Sequence, residues 1–334
     1  NLLFLPNSPT LMNAGTPLGQ LSACFVVPIE DSLESILDAV RAMAIITRTG
    51  GGTGFSFSKL RPRGDIISTT KGVASGPVSF MRIFDVVTDV IKQGGRRRGA
   101  NMGVLRFDHP DIFEFVTAKA KEGFLTNFNL SVAVTDDFME AAKQRKEVEL
   151  INPRTGEAVR TVNAGDLFEL IATMAWQTGD PGLLFIDEGN RHNPIPHVGV
   201  IESTNPCGEQ PLLPWESCNL GSIDVSKLVY NGDVDWDKLG ELVRDAVRFL
   251  DDVIDANKFP LPQIEEMTKA NRKIGLGIMG FADLLVQLWI PYDSQEAISL
   301  AEKLMNFITS EARKASEELG EQRGSSVSYT HLRA

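Results

Sequence analysis

Apolar residues along the chain follow two alternating rhythms. After Asp31-Ser-Leu-Glu34, which reads as a capping box with a carboxylate in the first turn, Leu33, Ile36, Leu37, Val40, Met43 and Ala44 fall at three- and four-residue steps. That spacing predicts a helix that stops before Gly50-Gly-Gly52. The same rhythm predicts helices over 79–92, 109–121, 135–145, 165–178, 235–256, 262–271, 281–288 and 295–319. Between them lie β-like runs at Ala23–Ile29, Gly54–Leu60, Asn101–Phe107, Asn127–Val134, Leu183–Ile186, Asn219–Val225 and Ile274–Met279. Strands alternating with helices, without an internal repeat, predict an α/β fold built on a mostly parallel sheet or barrel. No low-complexity linker interrupts the pattern, so residues 1–325 read as one domain.

Both ends break the pattern. Asn1-Leu-Leu-Phe-Leu-Pro6 opens inside an apolar run with no polar lead-in, as expected of a fragment. Beyond Arg323 the periodicity disappears, and Val327-Ser-Tyr-Thr-His-Leu332 resembles a sequencing adapter read in translation. Residues 326–334 are therefore expected to be non-native.

Composition narrows the function classes. With 43% apolar and 23% charged residues, this is an ordinary folded chain rather than a disordered or fibrous one. The most apolar stretch, Ile274 to Ile290, carries Asp283, Gln287 and three glycines, so no membrane partner is expected. A balance of 33 basic against 44 acidic residues argues against broad nucleic-acid binding and leaves room only for local anion sites. Three cysteines and no signal-peptide pattern fit a cytoplasmic, reducing compartment.

The chemistry concentrates in three segments. In Ser203-Thr-Asn-Pro-Cys-Gly-Glu-Gln-Pro211, two prolines and a glycine forbid a helix, so Asn205, Cys207 and Glu209 sit at alternating positions of a stiff loop. Their side chains can converge on one small ligand, although a buried structural cysteine is the plainer reading for a lone thiol. Cys218 follows eleven residues later beside a strand-like run, and Cys24 opens another. No Cys-x-x-Cys is present and the four histidines are scattered, so neither a metal site nor a Cys–His dyad is expected. Two strand thiols can supply two electrons by closing a disulfide, but spacing alone does not assign that role. Thr49-Gly-Gly-Gly-Thr-Gly54 lacks a P-loop ending, and a simple helix-to-strand turn is its default reading. Lys92-Gln-Gly-Gly-Arg-Arg-Arg-Gly-Ala-Asn101 clusters four cations among glycines, which suits either an anionic nucleotide or plain solvation.

Together, Asn7-Ser-Pro-Thr-Leu-Met-Asn-Ala-Gly15, Gln20-Leu-Ser-Ala-Cys-Phe25, Gly51-Gly-Thr-Gly54, Gln93–Ala100, Asn205-Pro-Cys-Gly-Glu209 and Ser217-Cys-Asn-Leu-Gly-Ser222 resemble the catalytic subunit of ribonucleotide reductase, from Asn7 to about Arg323. The short Cys207-to-Cys218 spacing is similar to the adenosylcobalamin (vitamin B12)-dependent class. The oxygen-dependent class, with its separate radical-generating subunit, usually has a longer one. The resemblance implies part of a ten-stranded α/β barrel with the radical cysteine on an internal loop. The remaining part, with a further phosphate-binding loop and a reducing cysteine tail, would lie outside this chain.

The resemblance also implies roles. Cys207 would be the thiyl radical, Glu209 the base at the 3′ hydroxyl, Asn205 a partner of the sugar, and Cys24 with Cys218 the redox pair that reduces the 2′ position. Ser8, Ala23, Cys24, Gly52 and the run Asn205, Pro206, Cys207, Gly208, Glu209 would meet substrate. Relatives commonly carry Ser where this chain has Ala23, so here only backbone is available for contact. Asp31, Ser32, Arg61, Gln93 and Arg97 would belong to an effector site. Implied partners are a ribonucleotide, a deoxynucleotide or ATP effector, a thioredoxin-like reductant and, at full length, a second copy. The rival readings are a nucleotide-independent thiol–disulfide oxidoreductase and an RNA-binding module using Arg96–Arg98. The second is disfavoured by the acidic chain and its 7% aromatic content.

Overall fold

The computed structural model describes residues 2–66, 72–91 and 99–328. Its contacts group them into two compact units, one formed by 1–23 with 217–334 and one by 24–216. The switches fall at Ala23/Cys24 and Glu216/Ser217, both at the starts of strands, so no linker composition marks them.

The first unit opens with β1 (Phe4–Pro6) and α1 (Ser8–Asn13), whose cap Asn7 accepts the Thr10 N–H at 3.0 Å. The chain then enters the second unit. β2 (Cys24–Val26) leads into α2 (Leu33–Arg48), where Ser32 accepts the Ser35 N–H at 3.1 Å, so the cap lies one residue beyond the Asp31 that the capping box implies, and Asp31 binds Arg61 instead. Ile36, Ala39, Met43 and Ile46 are its buried stripe. β3 (Gly52–Ser56), α3 (Pro77–Val90), β4 (Asn101–Arg106), α4 (Ile112–Val116) and β5 (Phe128–Val134) follow. Next come α5 (Asp136–Lys143), the hairpin β6 (Glu147–Ile151) and β7 (Ala158–Asn163), α6 (Ala164–Thr178), β8 (Gly182–Phe185) and α7 (Ile186–Arg191). The unit closes on a small antiparallel pair, β9 (Ser203–Thr204) with β10 (Pro211–Leu212).

β2, β3, β4, β5 and β8 form a parallel sheet in that order, as the alternating pattern predicts. Its two faces serve different purposes. Phe55, Phe57 and Phe128 point to the α3 side, where Phe84 meets Phe55 with ring centroids 4.9 Å apart and Phe57 at 5.5 Å. These fully buried rings fix the helix on the sheet. Residues one step out of phase face the other way. The register aligns Val26, Gly54, Met102 and Asn129 in one row across four strands.

The chain returns to the first unit with β11 (Ser217–Asp224), the pair β12 (Val229–Tyr230) and β13 (Asp233–Val234), α8 (Trp236–Ala256), α9 (Pro262–Asn271), β14 (Ile274–Met279), α10 (Phe281–Gln287) and α11 (Gln295–Arg323). β11 pairs antiparallel with β1 and parallel with β14. Gly221 leaves room for the Phe4 ring, because a Cβ there would lie 2.2 Å from it. Leu239, Val243 and Val247 of α8 and Leu304, Ile308 and Leu319 of α11 bury against these strands. Ser326 is buried, and Ser328 donates its N–H to Ala270 O at 3.2 Å.

Sequence and structure differ mainly in length. The helix expected over 109–121 is reduced to Ile112–Val116 and a 3-10 turn at Ala118–Ala120, while the last helix runs four residues further, to Arg323. The β6–β7 hairpin went unpredicted, although Val148, Leu150 and Val162 alternate with polar residues around the turn at Asn152–Gly156.

Candidate active site

β9 and β10 hold the cysteine loop between them, and two glycines of β3 make its seat. A Cβ on Gly54 would come within 1.6 Å of the Thr204 carbonyl oxygen, and one on Gly52 within 2.7 Å of the Pro206 ring. No other residue lets backbone approach a strand this closely. The glycine run predicted as a turn therefore does both jobs: Gly50, at φ +98°, ends α2, while Gly52 and Gly54 admit the loop.

Asn205 organises the loop tip. Its Oδ1 accepts the Gln210 N–H at 2.9 Å, and the Gly208 N–H donates to its carbonyl at 3.1 Å. Gly208, at φ +85°, makes the turn possible. Asn205 is buried, whereas Cys207, Gly208 and Glu209 are exposed. The Asn205 amide donates from Nδ2 to Cys24 Sγ at 3.1 Å, and that sulfur lies 3.9 Å from Glu209 Oε1. Cys24, Asn205 and Glu209 thus converge on one spot, with the Cys207 thiol on the turn between the last two.

The remaining predicted substrate residues belong to the first unit. Ser8 is the first residue of α1. The Ala23 N–H donates to the Cys218 carbonyl at 3.1 Å, so that backbone donor is engaged. Cys218 is buried, with its Sγ 3.1 Å from Asn219 O. Around it, Ser217 Oγ meets Thr268 Oγ1 at 2.9 Å, and Asn257 donates to Ser22 Oγ at 3.0 Å.

Among the effector candidates, Arg61 binds Asp31 through Nε at 2.8 Å and through its own backbone N–H at 3.1 Å. Ser32 is taken up as the α2 cap. Gln93 and Arg97 lie outside the described residues. Asp31 also lines a cavity of about 510 Å³ at the carboxyl ends of β3, β4 and β5, together with Ser56, Lys59, Arg106 and Arg154. Arg154 holds the Asp65 carboxyl down to about 2 through bonds of 2.7 and 3.0 Å. Just before Arg61, the Leu60 carbonyl accepts from His109 Nε2 at 2.8 Å, and His109 Nδ1 accepts the Asp111 N–H at 3.0 Å. Burial pushes the His109 pKa down, which agrees with a neutral ring using both nitrogens. Among the described residues no cluster of His, Cys, Asp and Glu is arranged to hold a metal ion.

Two groups escaped the sequence reading. Thr53 Oγ1 donates to Asn101 Oδ1 at 2.6 Å, and Asn101 Nδ2 donates to Thr88 Oγ1 at 2.8 Å, tying β3 and β4 to α3 beneath the loop seat. Asn129, on β5, donates from Nδ2 to the Pro206 carbonyl at 2.7 Å. The only hint in the sequence was its polar place in a strand whose alternate residues are apolar.

Similarity to known proteins identifies the family of the chain. The family described as ribonucleotide reductase, barrel domain, matches residues 22–334. The chain is 61% identical over 326 residues to a vitamin B12-dependent ribonucleoside-diphosphate reductase of Thermoplasma acidophilum, covering 97% of this chain and 42% of that protein. It is 55% identical over 334 residues to the enzyme of that name in Mycobacterium tuberculosis, covering 100% of this chain and 48% of the relative. A ribonucleoside-diphosphate reductase subunit alpha of Chlamydia pneumoniae is 30% identical over 362 residues, covering 98% of this chain and 35% of its own length. The chain thus spans a little under half the length of the Thermoplasma and Mycobacterium proteins, and it belongs to the ribonucleotide reductase family, matching its barrel domain over residues 22–334.

Proposed function

We propose that the full-length protein reduces ribonucleotides to 2′-deoxyribonucleotides, with Cys207 as the radical-bearing residue. One observation carries the reading: a buried amide, Asn205, holds the Cys24 thiol at 3.1 Å beside the Glu209 carboxylate, and an exposed cysteine stands on the same turn. In this scheme a Cys207 thiyl takes the 3′ hydrogen of the ribose while Glu209 accepts the 3′ hydroxyl proton. The 2′ hydroxyl leaves as water. Cys24 and Cys218 supply the two electrons and two protons and end as a disulfide, and Cys207 returns the hydrogen to C3′. A thioredoxin-like dithiol then restores the pair.

Two of the relatives described above are named vitamin B12-dependent, and adenosylcobalamin would supply the one-electron oxidising power at the Cys207 thiol when bound. The loop fits that use, since Cys207, Gly208 and Glu209 form an exposed face on which such a group can meet the thiol. Asp31, Ser32 and Arg61, with the neighbouring cavity, are our candidate site for a deoxynucleotide or ATP effector. Exposed Leu33 and Leu37 on α2 with Val86 and Val90 on α3 favour a second copy as partner. Among the described residues no helix is long and apolar enough to cross a membrane. Thiol chemistry of this kind points to the cytoplasm.

In the full-length protein, Cys207→Ser is expected to abolish turnover while nucleotide binding persists, because an O–H bond is too strong to relay the radical. Glu209→Gln should be severely impaired, since it keeps the outline but loses the base. Cys24→Ser should still lose the 3′ hydrogen yet release no deoxynucleotide. Ordinary activity in Cys207→Ser would overturn the mechanism. Activity only with oxygen and a separate radical-generating subunit would overturn the cofactor assignment alone.

A further inference from the structure

We infer that Asn129 is a positioning residue for Cys207, acting through the peptide bond between Pro206 and Cys207; the inference rests on the function proposed above. The Asn129 amide donates to the Pro206 carbonyl oxygen at 2.7 Å. That oxygen lies in the planar unit that ends at the Cys207 Cα, so holding it fixes the plane from which the thiol projects. Pro206 has no N–H to tie its own backbone to the sheet, and its ring packs over Gly52. Asn129 supplies the missing directional contact from a rigid strand.

The placement follows from register. Asn129 sits in the row Val26–Gly54–Met102–Asn129, on the sheet face that receives the loop. At one position of this row Gly54 lies against the Thr204 carbonyl, and two strands away Asn129 grips the Pro206 carbonyl. The loop is therefore held at two carbonyls, one by absence of a side chain and one by a donor. An exposed strand residue with no task tolerates any polar substitute, whereas this role requires an N–H donor of asparagine's length. Aspartate places a charge against the carbonyl, and serine is too short to reach it.

The test uses the full-length protein with Asn129→Asp and Asn129→Ser, measured two ways. Hydrogen exchange of residues 203–212 should quicken in both variants while exchange in the β3–β5 strands stays unchanged. In steady-state reduction, kcat should fall about 10- to 100-fold with KM for the nucleotide within about threefold, the pattern of a misplaced reacting group. Unchanged exchange in the loop would overturn the anchor. Faster exchange with unaltered kcat would overturn its role in positioning, as would a matched loss of kcat and strand protection. If the wild-type protein reduces no nucleotide while the exchange difference appears, the functional reading fails and the anchor stands.

Discussion

Each unit relies on a different kind of internal contact. In the second unit, the candidate site depends on what is small or polar: two glycines that admit a backbone, and amides from Asn205 and Asn129 that aim at a sulfur and a carbonyl. In the first unit, α8, α9 and α11 combine an apolar core with a buried ion cluster. Arg272, 5% exposed and left-handed at φ 51°, bonds Asp251 and Asp255, and Arg323 bonds Asp251 and Asp252. Asp251 is fully buried, and two arginines reach it there to offset the cost of burying its charge. The contrast teaches where small changes should act. Substitutions in the loop seat should alter chemistry ahead of stability, and substitutions in the ion cluster the reverse.

The strongest test of that contrast is Gly54→Ala. With a Cβ placed 1.6 Å from the Thr204 oxygen, the loop must lift, and turnover of the full-length protein should drop by more than about a hundredfold. Gly52→Ala should do less, because the ring of Pro206 is the obstacle there rather than a main-chain oxygen. Equal effects from the two variants would blur the seat into general packing.

For the other unit, Arg272→Met removes one of the two arginines that reach Asp251. A loss of about 3 kcal/mol in denaturant unfolding is expected, at the low end of the range for breaking a buried pair because Arg323 still reaches the carboxylate. Asp251→Asn in the same background should recover part of it, since the buried side chain then carries no charge. Turnover measured well below the unfolding transition should stay near the wild-type value.

A smaller effect is expected from His109. Burial lowers its pKa below the ordinary 6.5, so the folded protein binds fewer protons there than the unfolded chain. The stability tied to the neutral ring is present above about pH 6.5 and is lost as pH falls through the folded value. Protonation would also turn Nδ1 into a donor facing the Asp111 N–H. His109→Gln should flatten this part of the pH dependence between pH 7.5 and 5, followed by thermal melting, because an amide reaching Leu60 does not titrate. The smallest change should come from Trp176→Gln in the second unit and Trp289→Gln in the first. At 85% and 92% exposure, each should move stability by no more than about 0.5 kcal/mol.

Helices with a clear apolar stripe were legible to within a residue or two: α2 begins one residue after the box at Asp31–Glu34 implies, and α6 runs over 164–178 against the expected 165–178. The parallel sheet was legible from strands that alternate with helices. Asn205, Cys207 and Glu209 were legible as a group because proline and glycine leave few shapes for the loop that holds them. The hairpin at 147–163 was missed although its alternation was present, and the 109–121 helix was overdrawn because its apolar run continues past Val116 into a 3-10 turn.

Local sequence thus determined the elements and the stiff cysteine loop, since periodicity and backbone restriction act within a few residues. Register decided the rest. Only when β3, β4 and β5 pair does Gly54 share a row with Asn129, and only then do a strand glycine and a strand asparagine become the two supports of a loop some 77 to 150 residues further along the chain. The Asn205–Cys24 contact joins residues 181 positions apart for the same reason. Hydrogen bonds at such separations are set by how strands align in three dimensions, and no short stretch of sequence encodes that alignment.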